Sequence, residues 1–437
     1  MTKRFLVAIA IQVLLTCLSA RGQIINHCPY DKQHWNELAC LIPDLAVTGN
    51  SDIQGFNTTL ARVISQLPVA VPVSGLALTL DRSTGVYTLS SDLGGVLTER
   101  GSTLGKNKLF LGFTYQHFAF DSIDGTKLTN IPTVSALNLG SGNSTFLAST
   151  NSLHATIDQY TVVAAFCVSD RMDISITLPI DNVSLSGTAT HNSEGTNNGG
   201  AVTTLPDRSI SGAASGVGDL FFNGKYGIVK GERSQLAAGL EVRFATGNEY
   251  NLLGSGAFGI KPYIVYSRLG KRFHPHATFG YQWNAQSVLN LDSDVDKNGN
   301  LVQPGASLRL PDSLVYTGGI DYSVMRHVTL VGDFLGQHYF DAPAVTRAAL
   351  ASNAPGSPGF VLGIGPSCPN TSCNKLTGTV STVGVNNHSS FDEDNLAVGI
   401  KVNPFGRLLV SANVLIKLND SGLRANYVPL VGISYKF

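Results

Sequence analysis

Three places in the sequence combine residue types and spacings that could do chemistry. Asp294, Asp296 and Asn298 put oxygen side chains at alternate positions, with Gly299 after them for a turn. A calcium-binding loop opens this way, but Gly305 stands where its closing bidentate glutamate belongs. The segment reads as an Asp/Asn/Gly-rich loop, with a weak calcium site as the alternative. His274 and His276 lie two residues apart, so on a strand both imidazoles face the same side. They could begin a metal site, yet no strong third ligand is evident, and they read as polar residues on one wall. Glu241 and Arg243 share a strand face in the same way, opposite Lys225 on the hairpin partner. One reading there is a catalytic carboxylate; a ladder of charges filling a lumen is the commoner arrangement. Neither a Gly-x-Ser-x-Gly elbow nor an HExxH helix occurs, so no catalytic, metal or cofactor residue is assigned and an enzyme is not expected.

The cysteines after residue 22 are Cys28, Cys40, Cys167, Cys368 and Cys373. Lys3 and Arg4 precede an apolar stretch from Phe5 to Leu18, the pattern of a secretory signal, so residues 1–22 are expected to direct export and be removed. Export allows disulfides, and Cys28–Cys40 and Cys368–Cys373 are the economical pairings. Zinc is the alternative for Cys368 and Cys373, although no second Cys/His pair lies near in sequence. Cys167 is left over. Beyond the signal no uninterrupted apolar run reaches about 18 residues, so no membrane helix is expected. With 14% charged residues and a formal net charge of zero, the chain is not a nucleic-acid binder.

The elements that must position these residues are strands. Residues 425–437 alternate strictly: Tyr427, Pro429, Val431, Ile433, Tyr435 and Phe437 make one apolar face, and smaller or more polar residues make the other. The same period recurs at 107–116, 156–168, 172–181, 217–229, 235–246, 259–269, 273–286, 313–325, 327–340, 395–403 and 407–419. Short turns alternate with long polar segments at 121–154, 182–215, 247–258, 287–312 and 341–394. Counting back from Phe437 places every short turn at one end, the arrangement of an outer-membrane barrel.

One face of each strand carries no charge at its middle, as lipid contact demands. The opposite faces carry Lys225, Glu241, Arg243, Lys261, His274, His276, Asp321, Asp333, Lys401 and Lys417, which are therefore expected to face the lumen. The predicted fold is all-β: a transmembrane antiparallel β-barrel of about twelve strands over residues 107–437. A hairpin at 75–89 has arms too short to span, and would raise the count to fourteen if it joined the wall. Residues 23–106, with weak helical patterns at 35–45 and 55–66, are predicted to form an N-terminal plug or periplasmic segment.

The run from Gly216 through Gly218 and Asp219 to Lys225-Tyr226, followed by Leu240 through Thr246-Gly247, resembles one bacterial family. It is the outer-membrane family of phenol meta-pathway transporters, related to the long-chain fatty-acid transporter barrels. Ser83 to Tyr87, Glu99-Arg100 before Leu104 to Lys106, and Phe113 to Gln116 are similar as well. Ala245 replaces the family's usual proline. The resemblance covers roughly residues 80–437 and implies a Gram-negative-type outer-membrane location. It also implies a terminal strand read by the barrel-assembly machinery, and passive uptake of small hydrophobic or aromatic compounds without a cofactor. In the related fatty-acid transporters an N-terminal segment gates the lumen, and residues 23–70 would be its counterpart. The alternative reading is a structural or adhesive barrel that presents long surface loops.

Overall fold

The computed structural model describes residues 36–41, 59–64, 78–81, 86–89, 97–140, 143–196, 207–231, 233–291, 307–325, 327–351, 379–404 and 407–437. The expected signal segment, the Asp294/Asp296/Asn298 loop, Cys28, Cys368 and Cys373 all lie outside these residues.

Twelve antiparallel strands close into one barrel. They are β1 (Leu109–Phe120), β2 (Asn143–Ser169), β3 (Met172–Thr196), β4 (Leu220–Lys230), β5 (Ser234–Phe244) and β6 (Gly259–Arg268), then β7 (Phe273–Asn284), β8 (Ser313–Met325), β9 (Val328–Ala351), β10 (Thr379–Val402), β11 (Leu408–Lys417) and β12 (Tyr427–Lys436). Each pairs with its neighbour in sequence, and β12 returns to β1, with Val431 opposite Tyr115. Closure pairs the backbone polar groups along the wall without a free edge, as hydrocarbon requires. The hairpin of Leu78–Asp81 and Val86–Leu89 forms a separate two-stranded sheet, which leaves the wall at twelve.

Alternation decides which face meets lipid. On β12, Tyr427, Val431 and Ile433 are exposed, while Val428, Leu430, Ser434 and Lys436 are buried. On β7, Phe273, Phe279, Tyr281 and Trp283 point out, and His274, His276, Gln282 and Asn284 are buried inside. Many exposed aromatics lie at two levels, with Phe113, Phe279 and Phe334 in the band between. Phe166, Tyr226, Tyr266, Phe273, Tyr435 and Phe437 lie near the short turns, and Tyr160, Phe244, Tyr281, Trp283 and Phe340 toward the other end. Two such girdles flanking an apolar band mark the interfaces of a bilayer. The chain is an outer-membrane β-barrel.

Four strands are far longer than the rest: β2 has 27 residues, β3 25, and β9 and β10 24 each. About nine to eleven tilted residues cross a bilayer, so these strands stand well above it. There the free edge of β2 is taken up by residues 131–140, and that of β3 by residues 208–217. The segments 121–154, 182–215 and 341–394, expected as long polar loops, thus carry much strand. The reason is a change of phase. On β3, Ile174, Ile176, Leu178 and Ile180 occupy the outward positions. Beyond Asp181 the apolar residues fall on the inward positions, as buried Val183, Leu185 and Ala189, with Asn182, Ser184 and Ser186 outside. Above the membrane water replaces lipid on the outer face, so the greasy side turns inward.

A candidate solute cavity inside the barrel

The lower lumen, at the end of the short turns, is crossed by residues 97–104. Leu97, Thr98, Arg100 and Leu104 are buried, and the segment is tied to strands around the ring. Thr98 Oγ1 lies 2.7 Å from His276 Nε2 on β7 and donates to Asp333 on β9 at 3.2 Å. Glu99 accepts from Lys225 of β4 at 3.0 Å. Arg100 forms an ion pair with Asp321 of β8, and Lys401 of β10 sits 3.5 Å from the same carboxylate. The Gly101 amide donates to Ser267 of β6, and the Leu104 amide to Asp173 of β3. Lys436 of β12 donates to the Leu104 carbonyl at 3.0 Å. Buried charges persist only when paired in this way.

Higher up, residues 36–41 and 59–64 are packed into the barrel's apolar interior. Leu38, Leu41, Leu60, Ala61, Val63 and Ile64 join a cluster with Phe118, Leu153, Ile157, Val183, Leu185 and Leu415. A Cβ built on Gly212 would fall 2.7 Å from Leu41 Cδ1 and 2.8 Å from Leu38 Cδ2, so a larger residue there would push these side-chain ends aside. Arg62, with no exposed surface, pairs with Glu393 at 2.8 Å and lies 4.1 Å from the Tyr339 ring centroid.

Between these two stretches lies a cavity of about 220 Å³. Val63 borders it from the upper stretch, and Leu97, Thr98 and Glu99 from the lower one. Phe118, Phe120, Phe221, Tyr263 and Tyr339 supply rings, and Glu241 and Lys261 supply a salt bridge of 2.7 Å. Tyr263 owes its place to Gly239 opposite it on β5, since a Cβ there would sit 2.2 Å from the ring. With that space free, its hydroxyl donates to Asn223 at 3.0 Å.

The residues singled out from the sequence are distributed as follows. Glu241 and Lys261 border the cavity together. Lys225 lies opposite Gly239, not Glu241, and its charge goes to Glu99, so the expected ladder of Lys225 with Glu241 and Arg243 does not form. Arg243 instead reaches Asn284 at 2.9 Å and Asp219 at 3.7 Å. His276 and Asp333 hold Thr98, Asp321 pairs with both Arg100 and Lys401, and buried His274 lies 3.4 Å from Ser323. Lys417 donates to Asp420 at 2.7 Å in the following loop, and this contact holds the Asp420 carboxyl below its usual range. Cys40 is disulfide-bonded, and Cys167 is free and buried. Among the described residues no group of three or more His, Cys, Asp or Glu side chains could hold a metal ion.

Sequence reasoning did not pick out Arg62, Tyr339, Glu393 or Arg424. A lone arginine in the apolar run Leu60-Ala-Arg-Val-Ile64 was the available signal for the first. The motif around Gly218-Asp219 proves to be a corner. Asp219 accepts from the Gly247 amide at 3.2 Å, the Ser255 amide at 2.9 Å and the Ser255 hydroxyl at 2.6 Å. Thr246 donates to the Gly218 carbonyl at 2.9 Å. A Cβ on Gly254 would strike Asp219 Oδ1 at 2.4 Å. The paired motifs therefore fasten the top of β4 to the loop after β5.

No curated protein sequence matches the chain. Among solved structures it is similar to the COG4313 outer membrane channel of Pseudomonas putida F1, at 13% identity and a TM-score of 0.40, over 78% of this chain and 99% of that one. The toluene transporter TbuX of Ralstonia pickettii gives 11% identity and a TM-score of 0.33, over 86% and 98%. A FadL homologue of Pseudomonas aeruginosa gives 10% and 0.30, over 76% and 90%. The fold stands on this chain's own closed strand ladder. Residues 136–339, which include both the Gly218-Asp219 and Thr246-Gly247 motifs, match the family described as "Putative MetA-pathway of phenol degradation", the lineage that those motifs resemble.

Proposed function

We propose that this barrel is a passive outer-membrane conduit for small hydrophobic or aromatic compounds, stoppered by its own N-terminal segment. The observation that carries the reading is the aromatic-lined cavity that lies between residues 59–64 and 97–99 inside the wall. A cavity of about 150 Å³ lined by apolar side chains already accepts benzene, so 220 Å³ leaves room for a substituted ring. The matched family's description, which concerns phenol degradation, supports the same class of solute. A display role would use the tall wall above the membrane. That wall instead turns its apolar side inward, around residues 36–41 and 59–64, which favours a conduit.

Movement of solute past the two N-terminal stretches needs no cofactor, only their displacement. Deleting residues 23–70 removes the upper stretch while leaving every wall strand. Leakage of small solutes from liposomes carrying that variant should rise clearly over the full chain. Equal leakage from the two would show that residues 23–70 do not stopper the lumen.

A further inference from the structure

The two ends of the barrel differ in how their charges are arranged. At the upper end Arg309 lies 3.0 Å from Asp312, and Lys417 2.7 Å from Asp420. At the lower end cations gather without acids. The β4–β5 turn carries Arg233, and the β6–β7 turn carries Arg268, Lys271 and Arg272, all four exposed. None of the four makes an ion pair with a described residue. Asp170 is the one exposed acidic side chain among the described residues of the short turns, and Glu232 lies outside them. The two basic turns are fastened together: Ser234 stands opposite Arg268, and the Leu269 amide donates to the Arg233 carbonyl at 2.8 Å. The wall directly above them is apolar and aromatic. Ile264, Tyr266, Phe273 and Met325 are exposed there, and the Tyr266 hydroxyl lies 3.3 Å from Ser234 Oγ.

We propose that this patch binds anionic phospholipid headgroups of the periplasmic leaflet. The site belongs to the outside of the wall and is independent of the conduit reading. Short turns of such barrels lie on the periplasmic side, so the patch stands at the headgroups of that leaflet. A guanidinium holds a phosphate through two parallel N–H groups, and unpaired cations beside a bilayer attract anionic lipid. A zwitterionic headgroup brings its own ammonium toward four unpaired cations, whereas phosphatidylglycerol brings negative charge alone. A lipid is favoured over a soluble acidic partner because the patch continues the lipid-facing surface. Arg268 and Arg272 stand within two residues of exposed Tyr266 and Phe273. Acyl chains lying against Ile264 and Phe273 therefore bring the phosphate to the patch.

The test is calorimetric titration of the full chain in nonionic detergent with dihexanoylphosphatidylglycerol and dihexanoylphosphatidylcholine, protein-free micelles subtracted. Each Lys or Arg beside an anionic headgroup contributes about fivefold, so phosphatidylglycerol should bind at least about tenfold more tightly than phosphatidylcholine at about 0.1 M salt. At about 1 M salt the preference should shrink, because the charges are exposed and screened. With all four cations changed to glutamine, the two lipids should bind within about threefold of each other. Lys271→Gln/Arg272→Gln alone should cut the preference by at least about threefold, which keeps the test valid should the fourfold variant fail to fold. Equal binding of the two lipids by the full chain, or a preference unchanged in both variants, overturns the site. Polyglutamate binding as tightly as phosphatidylglycerol would assign the patch to an acidic protein and overturn the lipid as its partner.

Discussion

Replacing Arg100 with methionine should unfasten the lower lumen. Arg100 is 2% exposed and Asp321 is fully buried, and their ion pair is the charge link between residues 97–104 and β8. Removing one partner of a buried pair costs about 3–5 kcal/mol, because the other charge stays buried. Lys401, 3.5 Å from Asp321, offsets part of that cost. The wall keeps its ladder, so the loss falls on the segment that crosses it. A shift of about 3 kcal/mol changes the ratio of displaced to seated segment by on the order of a hundredfold. Single-channel recording should therefore show frequent openings in Arg100→Met that are rare in the parent chain, with Arg100→Lys intermediate. A folded Arg100→Met barrel as quiet as the parent would show that this pair does not hold the segment.

Arg62→Ala should loosen the upper stretch by a comparable amount. The guanidinium sits between Glu393 and the rings of Tyr339 and Phe391, at 2.8 Å from the carboxylate and 4.1 and 5.3 Å from the ring centroids. Losing the buried ion pair and a desolvated cation–π contact removes about 3 kcal/mol or more. Glu393 keeps Arg424, which limits the damage to the wall. Hydrogen exchange should show protection at residues 59–64 falling by on the order of a hundredfold, with amides of β1 and β12 unchanged. Unaltered protection at 59–64 would mean that apolar packing alone seats this stretch.

Both variants act on contacts that the sequence could not display. Strands inside the membrane were legible because lipid forces one face of each to be apolar and uncharged, as on β7 and β12. The upper halves of β2, β3, β9 and β10 were not, because the apolar face changes sides once water replaces lipid. Val183 and Leu185 continue the alternation that Ile174 to Ile180 began, but one residue out of phase. That Lys225, Asp321 and Asp333 point into the lumen follows from local period, whereas their partners do not. Lys225 meets Glu99 across 126 residues of chain, and Thr98 reaches Asp333 across 235. Pairings at such separations are set by how the N-terminal segment threads the closed ring, which no local pattern encodes. The Gly218-Asp219 motif was visible as a family mark, and its work as a corner emerged only with Gly247 and Ser255 beside it.

The most direct test of the central claim is current through the refolded full chain in a planar bilayer, recorded alongside uptake of monoaromatic solutes into liposomes. A lumen crossed by residues 97–104 and filled above by residues 36–41 and 59–64 predicts no steady ionic current, together with solute uptake above that of protein-free liposomes. A steady open current would contradict the stoppered lumen, and absence of both current and uptake would contradict the conduit itself.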